Sequence, residues 1–134
     1  KLFQQNSELG SRVVSIANPS HGLLNRLYCQ AHALLFPSFS EGFGWPIVEA
    51  QACLCPVIAS TTTSIPEVAG NGALFSHPRD IATFAEHVLA LENPAVRSNL
   101  ICKGQTNMCR FDHDIIANAY RCFASQNADG FCIS

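Results

Sequence analysis

Short apolar runs alternate with longer helical patterns along this chain, and that order is the feature that most restricts its fold. Each run is closed by a proline or a polar turn, which is typical of buried strands. The runs are RVVSIA at residues 12–17, ALLF at 33–36, PVIA at 56–59 and ALF at 73–75. Strands that alternate with helices predict parallel β-α-β units, hence an α/β, Rossmann-like parallel sheet with flanking helices.

Capping residues mark where the helices begin. Ser20 can cap a helix whose Leu23, Leu24, Leu27 and Tyr28 share one apolar face. Pro46 suits a first helical turn, and that helix is predicted to bury Ile47, Val48, Ala50 and Ala52. Further helices are predicted from Asp80, from Pro94 to Met108, and from Asp112. The length of 134 residues fits one domain or part of one, here residues 1–125, followed by an irregular tail at 126–134.

Composition excludes several classes of protein. Hydrophobic residues make up 48% and charged residues 13%, which is the reverse of a disordered chain. Eight basic residues show no clustering, so no nucleic-acid partner is expected. No apolar run approaches the roughly 18 residues of a membrane span, and the first residues lack a signal-peptide core.

The seven cysteines have no regular spacing and are odd in number. We expect reduced, mostly buried thiols and a cytoplasmic protein. Cys53 and Cys55 form a C-x-C pair, but a zinc site needs a second suitably spaced ligand pair. No metal site is therefore predicted.

The segment SEGFGWPIVEA, residues 40–50, is the strongest candidate for a ligand site. It lies where the ALLF strand ends, and ligands of parallel sheets bind at the carboxyl ends of strands. Gly42 and Gly44 allow a ligand to approach the backbone closely. Backbone amides of residues 43–47, apart from Pro46, are expected at the helix N-terminus, which attracts phosphate and hydroxyl oxygens.

Two carboxylates, Glu41 and Glu49, flank this helix start. They would repel a pyrophosphate but can each accept two hydrogen bonds from vicinal hydroxyls. A ligand with a phosphate between two polyols, a nucleotide-sugar, fits this pattern. Glu49 could instead serve only to stabilise the helix N-terminus. A glycosidase pair is disfavoured because nothing here requires one carboxyl in an apolar setting.

Several residues near this segment could either contact a ligand or have only a structural role. Trp45 could stack on a ligand, but packing over the helix start is favoured. Residues 61–63 could reach the donor or form a polar turn. No Lys or Arg occurs between Arg26 and Arg79. A diphosphate leaving group would then need a metal, or cations from another part of the protein.

The ordered series PSFSEGFGWPIVEAQAC, PVIAS and SIPEVAG resembles the C-terminal half of glycosyltransferase family 4. These are retaining enzymes built from two Rossmann-like domains, the GT-B type. Their signature of two glutamates separated by seven residues matches Glu41 and Glu49. The similarity covers about residues 12–125 and also includes KGQTNMCRFDHDIIANAY at 103–120.

This resemblance implies a role for each site residue. Glu41 would be the catalytic-site glutamate that contacts the donor sugar, and Glu49 would bind the ribose hydroxyls. Gly42, Phe43 and Gly44 would contact sugar hydroxyls through their backbone. Glu67 would stabilise its loop. No metal or other cofactor is implied beyond the nucleotide-diphosphate sugar, which is a substrate.

The resemblance also implies that a larger protein transfers a hexose to a saccharide or lipid-linked acceptor in cell-envelope polysaccharide synthesis. The acceptor-binding N-terminal domain and the phosphate-neutralising Arg and Lys are expected outside this sequence. The chain alone is then expected to be inactive. A peripheral membrane association of the full protein is left open.

One residue departs from the family pattern, because Leu54 stands where Gly usually follows the helix of the second glutamate. A left-handed conformation there would strain the turn. An inactive nucleotide-sugar or glycan-binding module is therefore one alternative. A fragment of a GT-B-type epimerase or phosphorylase is another.

Overall fold

The computed structural model of the protein describes residues 12–111, which form a parallel sheet with helices around it. The strands are β1 (Leu34–Phe36), β2 (Val57–Ser60) and β3 (Ala73–Ser76). The α-helices are α1 (His21–Gln30), α2 (Trp45–Ala52), α3 (Ile65–Ala69), α4 (Ile81–Ala90) and α5 (Pro94–Met108). Short 3₁₀ turns occur at Gly70–Gly72 and Cys109–Phe111. The predicted α/β class is confirmed.

The sheet has the order β1-β2-β3, and both strand pairs are parallel. Every residue of the central strand β2 is buried. Alternation along β2 sends Val57 and Ala59 into one apolar cluster and Ile58 into another, formed with α4 and α5. The sheet is therefore covered on both faces, as parallel sheets require. All three strands end at the same edge, where the candidate loop lies.

The predicted helix starts are confirmed. The Leu23 N–H donates to Ser20 Oγ at 3.3 Å, and the Thr83 N–H donates to Asp80 Oδ1 at 3.1 Å. These bonds satisfy amides that have no partner within the helix. The last α-helix in the described range covers Pro94–Met108, as predicted.

The strand predicted at residues 12–17 is wrong. The segment forms no β-ladder in the described part of the chain, and Val14 is 80% exposed. β-branched residues favour extended backbone, but a strand also needs a neighbour to hydrogen-bond with.

The predicted inward position of Ala52 is also wrong, because Ala52 is exposed and Gln51 is buried in its place. Ile47, Ala50 and Gln51 follow i, i+3, i+4 spacing and share the buried face of α2.

The expectation of mostly buried cysteines fails as well. The five described cysteines are free thiols, of which Cys29, Cys102 and Cys109 are exposed, Cys53 is half-buried and only Cys55 is buried. Cys29 and Cys109 lie at helix ends, and Cys102 lies on an outward-facing position in the middle of α5. The helix predicted from Asp112 and the boundary at residue 125 lie outside the described residues.

Leu54 adopts the left-handed conformation that its position in the sequence predicts, with φ of 61°. It ends the turn between α2 and β2, and its side chain is 49% exposed. An L-residue pays about 1–2 kcal/mol in this conformation, whereas glycine adopts it freely.

We therefore expect Leu54→Gly to raise the free energy of unfolding by about 1 kcal/mol, because the strain of the left-handed turn is relieved. Urea unfolding of the whole chain measures the change. Leu54→Ala is the matched control, because it removes the same side chain but keeps the Cβ. Equal stability of the two variants would contradict the strain.

Candidate functional site

Hydroxyl groups join the loop after β1 to the loop after β2 at the carboxyl edge of the sheet. Thr62 Oγ1 donates a hydrogen bond to the carbonyl oxygen of Ser38 at 2.8 Å, and Ser60 Oγ donates to the same carbonyl. Ser64 Oγ donates to the carbonyls of Glu41 and Phe43, both at 3.3 Å. The residues that follow β2 therefore fix the backbone of the segment that contains Glu41. This supports the polar-turn interpretation of residues 61–63.

Glu41 is half-buried and is held at both its backbone and its carboxylate. Ser38 Oγ donates to Glu41 Oε1 at 2.8 Å, and the Glu41 N–H donates to Thr63 Oγ1 at 3.1 Å. Its second carboxylate oxygen, Oε2, has no hydrogen-bond partner within residues 12–111. One oxygen of an oriented carboxylate is therefore free to accept a hydrogen bond from a ligand.

Thr63 occupies a strained conformation beside Glu41, with φ of 51°. A β-branched residue rarely adopts positive φ, and such strain persists only where the surrounding contacts enforce it. The hydrogen bond from the Glu41 amide is one of those contacts. The sequence contained no signal for this strain.

Gly44 is the N-cap residue of α2 and has φ of 95°. A Cβ at this position would lie 3.5 Å from Ile47 Cδ1, so the backbone conformation rather than space requires glycine. Gly42 is exposed, and a Cβ there would meet nothing within 4 Å. The backbone around Gly42 is therefore open to a ligand.

The Ile47 amide, which we expected to face the ligand, is already used, because it donates to the Gly44 carbonyl at 3.0 Å. Of the helix-start amides, those of Gly44 and Trp45 precede this first helical bond. They are the groups left to meet an anion at the positive end of the helix dipole.

The aromatic side chains of the loop pack on one another. The ring centroids of Phe43 and Trp45 are 4.7 Å apart, and Phe111 meets Phe43 edge-on at 6.0 Å. Trp45 is nevertheless 63% exposed. Its packing on Phe43 agrees with the favoured structural interpretation.

Glu49 lies on α2 and is half-buried. Tyr28 of α1, which is 8% exposed, donates its hydroxyl hydrogen to Glu49 Oε2 at 3.3 Å. Burial, and then the charge of Glu49, raises the pKa of Tyr28 to about 12. The sequence placed Tyr28 on an apolar face and missed this contact. The one sequence feature that could have indicated the contact is a tyrosine on a face otherwise made of leucines, because a buried tyrosine hydroxyl usually has a polar partner.

Arg79 is a cation that the fold brings to the carboxyl edge of the sheet. It follows β3, and its guanidinium carbon lies 5.8 Å from the centre of the Phe39 ring in the loop after β1. This is the geometry of a cation–π contact. Although the sequence has no Lys or Arg between Arg26 and Arg79, the fold places the Arg79 guanidinium against the loop that follows β1.

Residues 12–111 contain no cluster of three or more histidine, cysteine or acidic side chains arranged to hold a metal ion. Within the same range, no helix combines the length and apolar character needed to cross a bilayer.

Comparison with protein families identifies the family to which this chain belongs. Residues 2–93 match the family model described as glycosyl transferases group 1. The matched residues include all three strands, the loop that contains Glu41 and the helix that carries Glu49. The chain therefore belongs to the group 1 glycosyl transferases.

Individual relatives agree with this assignment. O-antigen chain mannosyltransferase B of Escherichia coli is 38% identical over 86 residues, which cover 63% of this chain and 23% of that protein. O-antigen chain mannosyltransferase RfbU of Salmonella typhimurium is 36% identical over 107 residues, or 80% of this chain and 30% of that protein. D-inositol 3-phosphate glycosyltransferase of Mycobacterium bovis is 40% identical over 73 residues, covering 53% and 15% respectively. The chain thus spans less than a third of each of these relatives.

The contact between Tyr28 and Glu49 predicts an alkaline titration. The ordinary tyrosine pKa is about 10. Because the folded-state pKa of Tyr28 is higher, at about 12, its contribution to stability is complete below pH 10 and is lost as the pH rises through 12. The chain has two tyrosines, and absorbance near 295 nm follows their ionisation.

We expect one absorbance step near pH 12, absent in Tyr28→Phe and retained in Tyr120→Phe. Glu49→Gln should move the step to lower pH without restoring the ordinary value, because burial remains. Two tyrosines that both ionise near pH 10 would refute the contact.

Proposed function

We propose that this chain is the donor-binding part of a retaining hexosyltransferase that uses a nucleotide-diphosphate sugar. The observation that carries the proposal is the pair of half-buried carboxylates, Glu41 and Glu49, on either side of the glycine-bounded start of α2. Glu41 lies in the loop at the carboxyl edge of a parallel sheet, where such folds bind ligands, and Glu49 lies about one turn into the helix that begins at that edge.

Glu49 is assigned to the ribose hydroxyls. Its Oε2 accepts a hydrogen bond from Tyr28, which fixes the orientation of the carboxylate. A fixed carboxylate can accept hydrogen bonds from two vicinal hydroxyls, and charge-assisted bonds of this kind are among the stronger ones.

Glu41 is assigned to the donor sugar near the reacting carbon. Ser38 orients its carboxylate and leaves Oε2 open to a sugar hydroxyl. In the transfer, the bond between the anomeric carbon and the diphosphate oxygen breaks, and a bond to the acceptor hydroxyl oxygen forms on the same face. The diphosphate keeps the electron pair, and the acceptor proton is released.

The leaving diphosphate needs positive charge around it. The start of α2 supplies the amides of Gly44 and Trp45, and Arg79 lies at the same edge. Further Arg and Lys, and the acceptor-binding domain, are assigned to other parts of a longer protein. The proposal requires no metal and no other cofactor.

Mannose is the hexose we assign, and a cell-surface polysaccharide or its lipid-linked precursor is the acceptor. The support is the similarity to two O-antigen chain mannosyltransferases. The reaction is placed in the cytoplasm, with the full protein peripheral to the membrane that holds its acceptor.

A second function, a nucleotide-sugar-binding module without turnover, is favoured by one observation. Leu54 takes a strained left-handed conformation two residues after the end of the helix that carries Glu49. A displaced helix end would weaken the ribose contact without abolishing the fold. In that case the full-length protein would bind the nucleotide but transfer no sugar.

Titration of the chain with UDP, GDP and ADP, followed by ligand-observed NMR, tests the donor site. We expect one nucleotide to bind and Glu49→Gln to weaken it by about tenfold or more, because a hydrogen bond to a charged group is worth about 1.5–3 kcal/mol. The matched control is Glu86→Gln, since Glu86 is an exposed carboxylate on α4. Failure of all three nucleotides to bind, or equal losses in both variants, would contradict the assignment. The hexose conjugates of the bound nucleotide then identify the sugar.

A further inference from the structure

One face of α5 borders a cavity that lies outside the proposed donor site. Residues 103, 106, 107 and 110 follow i, i+3, i+4, i+7 spacing along α5 and just past its end, so they share this face. Across the cavity lies the 3₁₀ turn at Gly70–Gly72. The cavity has a volume of about 320 Å³ and is lined by Gly70, Asn71, Lys103, Thr106, Asn107 and Arg110. This volume is near the lower end of the roughly 300–1,000 Å³ found for small-molecule sites.

The lining of the cavity is positively charged. Lys103 and Arg110 contribute one charge each, and no acidic side chain of residues 12–111 is among the lining residues. Glu67 accepts a hydrogen bond from Arg110, but through its backbone carbonyl oxygen. The carbonyl end of α5 disfavours an anion, although a helix end carries only about half an elementary charge. The two full positive charges therefore favour an anionic ligand.

The guanidinium of Arg110 is held in one orientation. Its Nη1 donates to the Glu67 carbonyl at 3.1 Å and to Asn107 Oδ1 at 3.0 Å. Asn107 is only 6% exposed and is itself fixed, because its Nδ2 donates to Gln51 and Val68. A guanidinium has five N–H donors, and the three on Nη2 and Nε make no hydrogen bond within residues 12–111. An oriented guanidinium with remaining donors is suited to bind the oxygens of an anion.

The other lining residues complete the cavity. Gly70 allows the close approach of α5, since a Cβ there would lie 2.5 Å from Asn107 Oδ1. Asn71 is exposed in the turn before β3, and its side-chain amide can donate to a ligand. The Thr106 hydroxyl donates to the Cys102 carbonyl at 3.0 Å, so it borders the cavity without donating to an anion. The donors offered to a ligand are thus two cations and one neutral amide.

We propose that this cavity binds a phosphate dianion, either as free phosphate or as the phosphomonoester group of a small molecule. A phosphomonoester carries nearly two negative charges at pH 7 and has three strong acceptor oxygens. These match the charges of Lys103 and Arg110 and the amide of Asn71. A carboxylate has one charge and two oxygens, so it would use fewer of these donors. The cavity shares no residue with the proposed donor site, and this proposal does not rest on the proposed function.

Backbone-amide NMR of the full chain, titrated with inorganic phosphate in low-salt buffer, tests the location. We expect saturable shifts centred on residues 70–72 and 103–110, with a Kd of about 1 mM or tighter. Shifts centred on residues 40–49 would overturn the proposal, because the phosphate would then occupy the start of α2. Shifts that stay linear up to tens of millimolar phosphate would also overturn it.

Variants test the charges. Lys103→Gln should weaken phosphate binding by about fivefold or more, because one of two charges near the anion is lost. Lys103 is exposed, so the fold should be kept. Arg26→Gln is the matched control, since Arg26 is an exposed cation on α1, and its affinity should stay within twofold of the unchanged chain. Equal losses in the two variants would overturn the site, because only net charge would then matter.

Two further measurements sharpen the assignment. Arg79→Gln should leave phosphate binding unchanged, and a loss there would overturn the proposal by placing the anion at the carboxyl edge of the sheet. Titration with glycerol 1-phosphate separates the two sources of the dianion. Tighter binding than inorganic phosphate identifies a phosphomonoester as the ligand, and equal or weaker binding identifies free phosphate. Nucleotide binding is measured separately through Glu49→Gln, so the failure of either proposal is distinguishable from the failure of the other.

Discussion

The position of α2, and with it the candidate site, depends on one buried amide. Gln51 is 2% exposed, donates to the carbonyls of Ala69 and Gly72 at 3.0 and 3.1 Å, and accepts from Asn107 Nδ2 at 2.8 Å. Asn107 also donates to the Val68 carbonyl at 2.8 Å. Each of these groups would cost about 1–3 kcal/mol if buried without a partner. The network therefore sets one position for α2 relative to α3 and α5, and Glu49 lies two residues before its centre.

Close backbone approach makes that network possible. A Cβ on Gly72 would lie 2.6 Å from both Gln51 Nε2 and Gly104 Cα, which is closer than real contacts allow. The glycines at 72 and 104 thus let α5 and the turn before β3 close over the Gln51 amide. Since residues 47, 50 and 51 are committed to this buried face, Glu49 is left on the side of α2 that meets Tyr28. A core requirement therefore determines which way the carboxylate faces.

Local signals in the sequence predicted most of this fold, and contacts between distant residues account for what they missed. Ser20, Asp80 and the prolines predicted helix starts because capping depends on a few neighbouring residues. Leu54 was singled out because the resembled family usually has glycine there, and the left-handed conformation that glycine favours is the one Leu54 adopts. The burial of Gln51 could not be foreseen, since its partner Asn107 lies 56 residues away. Residues 12–17 failed as a strand for the converse reason: β propensity was present, but none of the three strands within residues 12–111 pairs with them. For the site, the pattern gave Glu41 and Glu49 as candidates and Thr63 as a possible turn residue, but it did not predict the hydrogen bonds by which Ser38, Tyr28 and Thr63 hold the two glutamates.

Two arginines of the described residues make hydrogen bonds that stabilise the fold. Arg97 donates to the carbonyls of Ala31 and His32, and Arg110 donates to the Glu67 carbonyl. These two cations support the fold, while Arg79 and the start of α2 lie at the carboxyl edge of the sheet. A helix N-terminus is worth about 0.3–1 kcal/mol to an exposed anion, far less than a departing diphosphate requires. The proposed donor site would therefore recognise hydroxyl groups better than it neutralises negative charge. If the proposed function is right, a diphosphate leaving group requires further cations from a longer protein, and this chain spans only 23% and 30% of two mannosyltransferase relatives.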